Sequence, residues 1–402
     1  MEENQVHIPD GWVLNELSNL IIEKRKSSLK VSDATNYGNF PFFTSGETIL
    51  KHTDKQIDGQ NIFLATGGVA NIKYYDGEAS YSTDTYAITS KNEIDTEYLY
   101  FDLLNILYYI NANYFQGSGL KHLQKKDLKK HQILFPKSLT EQTQIATILS
   151  KVDEAITQTE QLIAKYTRIK TGLMQDLLTK GIDENGNIRS EETHEFKDSP
   201  LGRIPKEWEC KLLGDNNIIE LHNNKRKPIS SKERGHMIGD FPYYGATGII
   251  DMLNEFRVDG EFVLFGEDGD HFLKWVYQEQ TILTNGKFNV SNHAHIVKGT
   301  AKCSTKWIHY FFCHRDITFY LTRQGAGRFK LNKTSLFSLP ILLPRSKNEQ
   351  NAIISRIEKV NEYSDNLDIH LNKLQSLKTG LMQDLLSGKV RVKHLIKETA
   401  SV

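Results

Sequence analysis

Lys170-Thr171-Gly172-Leu173-Met174-Gln175-Asp176-Leu177-Leu178 returns unchanged at Lys378-Thr379-Gly380-Leu381-Met382-Gln383-Asp384-Leu385-Leu386, 208 positions later. The same offset joins Pro136 to Pro344, Glu141-Gln142 to Glu349-Gln350, and Gln116-Gly117-x-Gly119 to Gln324-Gly325-x-Gly327. Earlier landmarks pair at slightly shorter offsets. Ile8-Pro9-x-x-Trp12 answers Ile204-Pro205-x-x-Trp208, and Phe40-Pro41-Phe42-Phe43 answers Phe241-Pro242-Tyr243-Tyr244. Self-similarity at a fixed period decides the architecture before any local reading. The chain is two copies of one unit, spanning 1–180 and 204–388.

Working outward from the nonapeptide, each copy ends in a long helix. Ser138-x-x-Glu141 and Ser346-x-x-Glu349 have the spacing of capping boxes, each just after a proline, and Gly181 and Gly388 stand where helix C-caps belong. Between them the apolar positions step by four and three: Ile145, Leu149, Val152, Ile156, Thr159, Ile163, Tyr166, Lys170, Leu173, Leu177. The second copy repeats the series as Ile353, Ile357, Val360, Ser364, Leu367, Leu371, Leu374, Lys378, Leu381, Leu385. That is a heptad seam. Forty helical residues at 1.5 Å each make a rod of roughly 60 Å, longer than one globule covers, so the two helices are expected to pair antiparallel, an amphipathic helix packed on its own globule being the plainer alternative. Gly172 and Gly380 lie inside them although a helical glycine costs about 1 kcal/mol relative to alanine. Close approach of another backbone explains their presence in both copies, and a tolerated glycine in a frayed last turn is the plainer alternative.

The rest of each copy is rich in aromatics, glycines and short β-type runs such as Asn61-Ile62-Phe63-Leu64-Ala65-Thr66 and Glu261-Phe262-Val263-Leu264-Phe265-Gly266. The expected fold is therefore α+β: two mixed α/β globules, each with a twisted sheet, joined by two long helices in an antiparallel coiled coil with an internal pseudo-twofold repeat. The boundaries are a first domain at 1–138, a central helix at 139–181, a linker at 182–203, a second domain at 204–345, a distal helix at 346–388 and a C-terminal tail at 389–402.

Composition bounds what the globules do. The 402 residues are 39% hydrophobic and 10% aromatic, enough for real cores. No apolar run reaches membrane-spanning length, the first residues are acidic and polar, and three scattered cysteines suit a reducing cytosol. Fifty Lys+Arg against fifty Asp+Glu give a formal net charge of +0. A nucleic-acid binder of this composition needs local basic patches or a partner that shares the phosphate work.

The closing stretch Leu377 to Arg391 resembles the end of the distal helix in DNA-specificity subunits of type I restriction-modification systems. Leu134-Phe135-Pro136-x-x-x-x-Glu141-Gln142-x-x-Ile145, repeated at Leu343-Pro344, Glu349-Gln350 and Ile353, is similar to their strand-to-helix entry. The resemblance covers residues 8 to 390. It implies alternating target-recognition domains and spacer helices, with each domain reading one half of a split site in double-stranded DNA. It further implies that the helices set the gap and dock two DNA methyltransferase subunits, to which translocating endonuclease subunits add. A protein-binding coiled-coil scaffold without DNA contact is the rival reading, kept open by the neutral charge. The nonapeptide residues Gly172, Leu173 and Gln175, with Gly380, Leu381 and Gln383, are the candidate partner surface, because equal surfaces in two copies suit one partner bound twice.

Reading DNA takes Arg, Lys, Asn or Gln at base edges and simple charge at phosphates. Lys24-Arg25-Lys26 and Lys225-Arg226-Lys227 follow apolar strand-like runs near corresponding positions of the copies. A solvated turn is their plain alternative. The Gly-x-Gly loops carry Lys121 in one copy and Arg328 and Lys330 in the other, with an ordinary tight turn as alternative. Turns after the aromatic motif contribute Thr44, Ser45 and Thr247, while the aromatics themselves read as core. No catalytic residue, cofactor or metal is expected. Neither a base-holding Asn/Asp-Pro-Pro-aromatic motif, nor a glycine-rich cofactor loop, nor a P-loop is present. Asp268-Gly269-Asp270 imitates a calcium loop but has Phe272 and Leu273 where an oxygen ligand and glycine are needed. His293-x-His295 reads as sheet packing.

Overall fold

The computed structural model describes residues 8–324 and 328–395. The chain divides into two compact units, Met1–Leu162 with Leu367–Val402, and Ile163–Asn366. The central helix, Leu139–Thr179, and the distal helix, Lys347–Leu386, each contribute to both.

In the first unit a four-stranded antiparallel sheet has the order Ile21–Glu23, Thr85–Ser90, Gln60–Ala65, Ile72–Asp76. In the second unit Ile219–Leu221, Ala294–Gly299, Phe262–Gly266 and Thr281–Thr284 repeat that order. The registers match, Ile62 opposite Ile88 and Val263 opposite Val297. A smaller sheet holds the aromatic motif, with Phe42 and Phe43 parallel to Ser80 and Tyr81, and Tyr243 and Tyr244 parallel to Asn289 and Val290. A two-stranded ribbon then leads into each helix: Trp12–Glu16 against Gln132–Pro136, and Glu209–Leu212 against Pro340–Leu343. The single twisted sheet expected for each globule is therefore several small ones. Prolines cannot donate to a ladder: Pro136 lies in a two-stranded ribbon, and Pro41 and Pro242, in inner strands of their small sheets, are paired on one side only.

Each unit is closed by the far end of the other copy's helix. In the first, Ile145 and Leu149 at the start of the central helix share a core with Met382, Leu385 and Leu386 at the end of the distal helix. In the second, Ile353 and Ile357 meet Met174, Leu177 and Leu178. The helices thus run antiparallel within each unit. Every seam position is partly or fully buried, Lys378 reaching Asp153 at 2.6 Å. Truncating a buried leucine such as Leu177 costs about 2–5 kcal/mol.

The Glu-Gln pair after each capping serine has a different use from the one its spacing suggests. The serine hydroxyls do accept the Glu141 and Glu349 N–H groups, at 3.4 and 3.2 Å. The glutamate carboxylates, however, turn away from the cap. Glu141 takes a two-pronged bond from Arg391, at 2.7 and 2.8 Å, and Glu349 takes Arg189 together with the Trp208 indole at 3.2 Å. Buried carboxylates need a cation more than they need a second backbone donor. Gln142 and Gln350, both fully buried, accept the N–H of Asp95 and Ser304 at 2.7 and 3.0 Å. Those two residues are the N-caps of the helices Thr96–Asn105 and Thr305–Phe312.

Two segments expected outside the domains are built into them. Residues 389–395 are not a loose tail: Arg391 clamps Glu141, and Val392, 2% exposed, joins the first unit's core. The linker carries Arg189 and a hairpin pairing Phe196–Ser199 with Gly202–Pro205. Gly181 and Gly388 end their helices at φ +64° and +71°, where a side chain would strike Trp208 and Trp12 respectively.

Candidate DNA interface

One edge of each four-stranded sheet gathers the loops, through matching backbone bonds. In the first unit Thr66 N–H donates to the Asp84 carbonyl (3.0 Å), Leu123 N–H to Thr66 (3.0 Å) and Gly68 N–H to Lys121 (2.9 Å). In the second, Glu267 N–H donates to His293 (2.7 Å), Leu331 N–H to Glu267 (2.7 Å) and Gly269 N–H to Phe329 (3.3 Å). The first Gly-x-Gly loop is therefore a hairpin tip, and in both units the hairpin strands lie against the turn that leaves the inner strand. Gly117, at φ +147°, has no room for a side chain beside the Leu120 carbonyl. The second Gly-x-Gly, at 325–327, lies outside the described residues.

At the first edge, Lys24 N–H donates to Ala87 (2.9 Å), so Lys24, Arg25 and Lys26 continue the outer strand toward this rim. Arg25 and Lys26 are exposed and Lys24 is half-buried. Ser45 bonds the Asp84 carbonyl and accepts from Thr66 N–H at 3.2 Å. Thr44 is only 5% exposed and its hydroxyl accepts Gly46 N–H, so it holds the turn and offers no outward contact. Lys121 is exposed on the hairpin.

The structure adds residues that the sequence reading passed over. The short helix Lys125–Leu128 brings Lys125 over the Tyr86 ring at 4.4 Å, and Lys129 reaches Glu23 at 2.8 Å. That pairing holds the Glu23 carboxyl below its usual range, while burial lowers the Lys125 ammonium. Lys126 and Lys130 are exposed beside them. Eight cations thus gather here (Lys24, Arg25, Lys26, Lys121, Lys125, Lys126, Lys129, Lys130), with Glu23, Glu47, Asp84 and Asp127 as acids in the same region. The run of four lysines in residues 125–130 was a visible signal.

At the second edge the basic triplet sits elsewhere. The bond of Lys24 N–H to Ala87 is matched by His222 N–H to Ile296 (2.8 Å), not by Lys225. The triplets are therefore three residues out of register, and their apparent correspondence is corrected: an inserted turn at Asn223–Lys225 carries the second one past the strand end. Arg226 points inward to Glu267 (2.7 Å) and to the Asn292 carbonyl (3.3 Å). Lys330 stands 3.6 Å from Glu267. Lys227 is exposed and loosely paired with Glu255 (3.4 Å), Lys225 lies 5.8 Å over Phe262, and Arg328 and Thr247 are exposed. His295 is buried between Asn223 and the Leu331 carbonyl, and His293 contacts Asp268 at 3.1 Å. Among the described residues no group of three or more His, Cys, Asp or Glu is placed to hold a metal.

On the helices, Gly172, Gln175, Gly380 and Gln383 are exposed, and a side chain at either glycine would meet nothing within 4 Å. Among the described residues no packing asks for those glycines. Leu173 and Leu381 instead turn inward onto the two cores, which removes them from an outward surface. No helix among the described residues is long and apolar enough to cross a membrane.

Two copies of a small mixed α/β reader, each closed by a helix end of the other copy, define a class of bipartite recognition proteins. The chain belongs to the type I restriction-modification DNA specificity family: residues 9–168 and 205–379 match the type I restriction modification DNA specificity domain, one match in each copy. Specificity subunits of this family are non-catalytic. A putative type I restriction enzyme specificity subunit from Haemophilus influenzae is 35% identical over 127 residues, 32% of this chain and 31% of that one. The type I restriction enzyme MjaVIII specificity subunit of Methanocaldococcus jannaschii is 23% identical over 436 residues, covering 98% of this chain and 96% of its own. The crystal structure of a type I restriction-modification S subunit from M. genitalium has the same fold, with a TM-score of 0.68 at 17% identity over 96% of this chain and 97% of that one.

Proposed function

We propose that the chain positions methylation and restriction machinery on a split DNA site. The domain at 1–138 reads one half and the domain at 204–345 the other. The helices at 139–181 and 346–388 fix the unspecified gap and dock two methyltransferase subunits, to which translocating endonuclease subunits add. The assembly works in the cytoplasm on double-stranded DNA. The observation that carries this reading is the contrast between the copies. Their helix ends are identical and present exposed glycines and glutamines twice, which suits one partner bound twice. Their loop edges differ in charge and length, which suits two different half-sites. At those edges Lys24, Arg25, Lys26, Ser45, Lys121, Lys225, Lys227, Thr247 and Arg328 are the outward candidates. Arg226 and Lys330 contribute chiefly by neutralising Glu267.

The decisive experiment is co-expression with a type I methyltransferase subunit, followed by genome-wide mapping of methylated bases. A split, asymmetric methylation motif that vanishes when this chain is omitted is the expected result. Methylation unchanged by the omission would favour the scaffold reading and refute this one.

A further inference from the structure

Between one inner strand of the four-stranded sheet and its outermost neighbour the copies differ by an insertion. In the first unit the chain passes from Gln60–Ala65 to Ile72–Asp76 through the six residues 66–71. In the second it passes from Phe262–Gly266 to Thr281–Thr284 through the fourteen residues 267–280. Both connections leave the sheet identically, as the matched bonds to the hairpin show, and the extra residues enter after Gly269. They are anchored from below. His271 and Phe272 are 6% and 1% exposed with their ring centroids 4.0 Å apart at a tilt of 35°, and the Gln280 side-chain amide donates to the His271 carbonyl at 3.1 Å. On that base Leu273, Val276 and Tyr277 stand 57%, 65% and 76% exposed.

We propose that this insertion is a specificity-determining loop of the second domain, making apolar contact with bases of its half-site; the proposal rests on the DNA-reading function above. Three observations favour that occupant. The insertion springs from the rim that gathers the hairpin cations, so it is continuous with the candidate DNA surface. The fourteen-residue connection carries Glu267, Asp268, Asp270 and Glu279 against a single lysine, Lys274, so phosphate is not what it meets. Finally, a partner bound through both identical helix ends has no use for a feature found in one copy. Leucine, valine and tyrosine read DNA by contact with thymine methyl groups or by wedging against a base step. The first domain, with only Val69 exposed in its short turn, has no equivalent device.

The test is a chain with Leu273, Val276 and Tyr277 each replaced by serine, which keeps both anchors and the charge, assembled with its methyltransferase subunits and mapped as above. A mismatched base pair in a specific site costs roughly ten-fold or more in affinity. The expected result is therefore loss of at least ten-fold preference at one or two positions of one half-site, with the other half-site and the gap unchanged. A motif unchanged in both halves would overturn the proposal, and so would a variant that melts like the parent but fails to assemble with the methyltransferase, which would assign the loop to a protein partner. The parent chain, mapped in parallel, reports separately on the DNA-reading function, since its own split motif does not depend on this loop being the reader.

Discussion

Replacing Arg391 with alanine strands the Glu141 carboxylate in the first unit. Glu141 is 1% exposed and Arg391 24%, and the guanidinium bridges both carboxylate oxygens while also donating to the Asp10 carbonyl at 2.7 Å. Removing one partner of a buried pair costs about 3–5 kcal/mol, since the remaining charge has neither water nor cation. The quarter-exposed arginine places this case near the lower end, about 3 kcal/mol by the same principle. The unit comprises about two hundred residues, for which each kcal/mol moves the melting temperature by roughly 2–4 °C. The expected loss is thus about 6–12 °C by that scaling, measured by calorimetry. Glu141→Gln in the same background should recover much of it, because no charge is then left unpaired. All three cysteines lie in the second unit, so their accessibility to a thiol reagent should not follow this transition. A variant melting within a degree of the parent, or a Glu141→Gln background in which the loss is undiminished, would refute the assignment of this pair as the first unit's clamp.

Asp102 is buried in the first domain, 9% exposed, and burial pushes its carboxyl up to about 7. Between pH 4 and 7 the folded state keeps a proton that the unfolded chain releases, so stability falls as pH rises through that window. Asp102→Asn should therefore stabilise at pH 8 by up to roughly 4 kcal/mol and change little at pH 4; equal effects at both pH values in denaturant titrations would contradict the burial argument. In the second domain burial takes the His309 imidazole down to about 4. There the unfolded chain binds the proton first, so this group costs stability as pH falls from 6.5 to 4, and His309→Gln should flatten that part of the acid-denaturation curve. Burial likewise pushes the Cys303 and Cys313 thiols up to about 12. A thiol reagent at neutral pH should leave both unlabelled in the native protein and label them in denaturant; rapid native labelling would show that this core opens.

What the sequence could reveal depended on how local the cause was. The long helices, their seam and their glycine ends follow from spacing within one segment, and the repeat follows from comparing two segments of the same chain. The partners of Glu141 and Glu349 do not. Arg391 and Arg189 lie 250 and 160 positions away, and no periodicity connects them. A serine three residues before a glutamate looks like a closed local box whether or not the carboxylate stays home. The two basic triplets misled for a similar reason. Their spacing matched the offset of the aromatic motif, but strand register counts ladder bonds, and an inserted turn shifts the count by three. Lys125 to Lys130 failed to stand out because a charge run is ordinarily a solvated face. Only the fold shows that this run and Lys24 to Lys26 meet around one glutamate.

That meeting also answers the objection raised by the overall charge. A chain with as many acids as bases can hold DNA if its charges are sorted in space, and here the sorting differs between the copies. The first edge concentrates cations and keeps a short turn. The second places Glu267 where the first has Thr66, spends Arg226 and Lys330 on it, and raises an apolar loop instead. Phosphate attraction carries no sequence information, whereas apolar and polar contacts at base edges do. If the two edges face DNA and the inserted loop reads bases as proposed, the two domains divide the work unequally, the first supplying more of the grip and the second more of its discrimination. Salt should accordingly weaken the first half-site's hold more steeply than the second's, because only released counterions give a steep dependence.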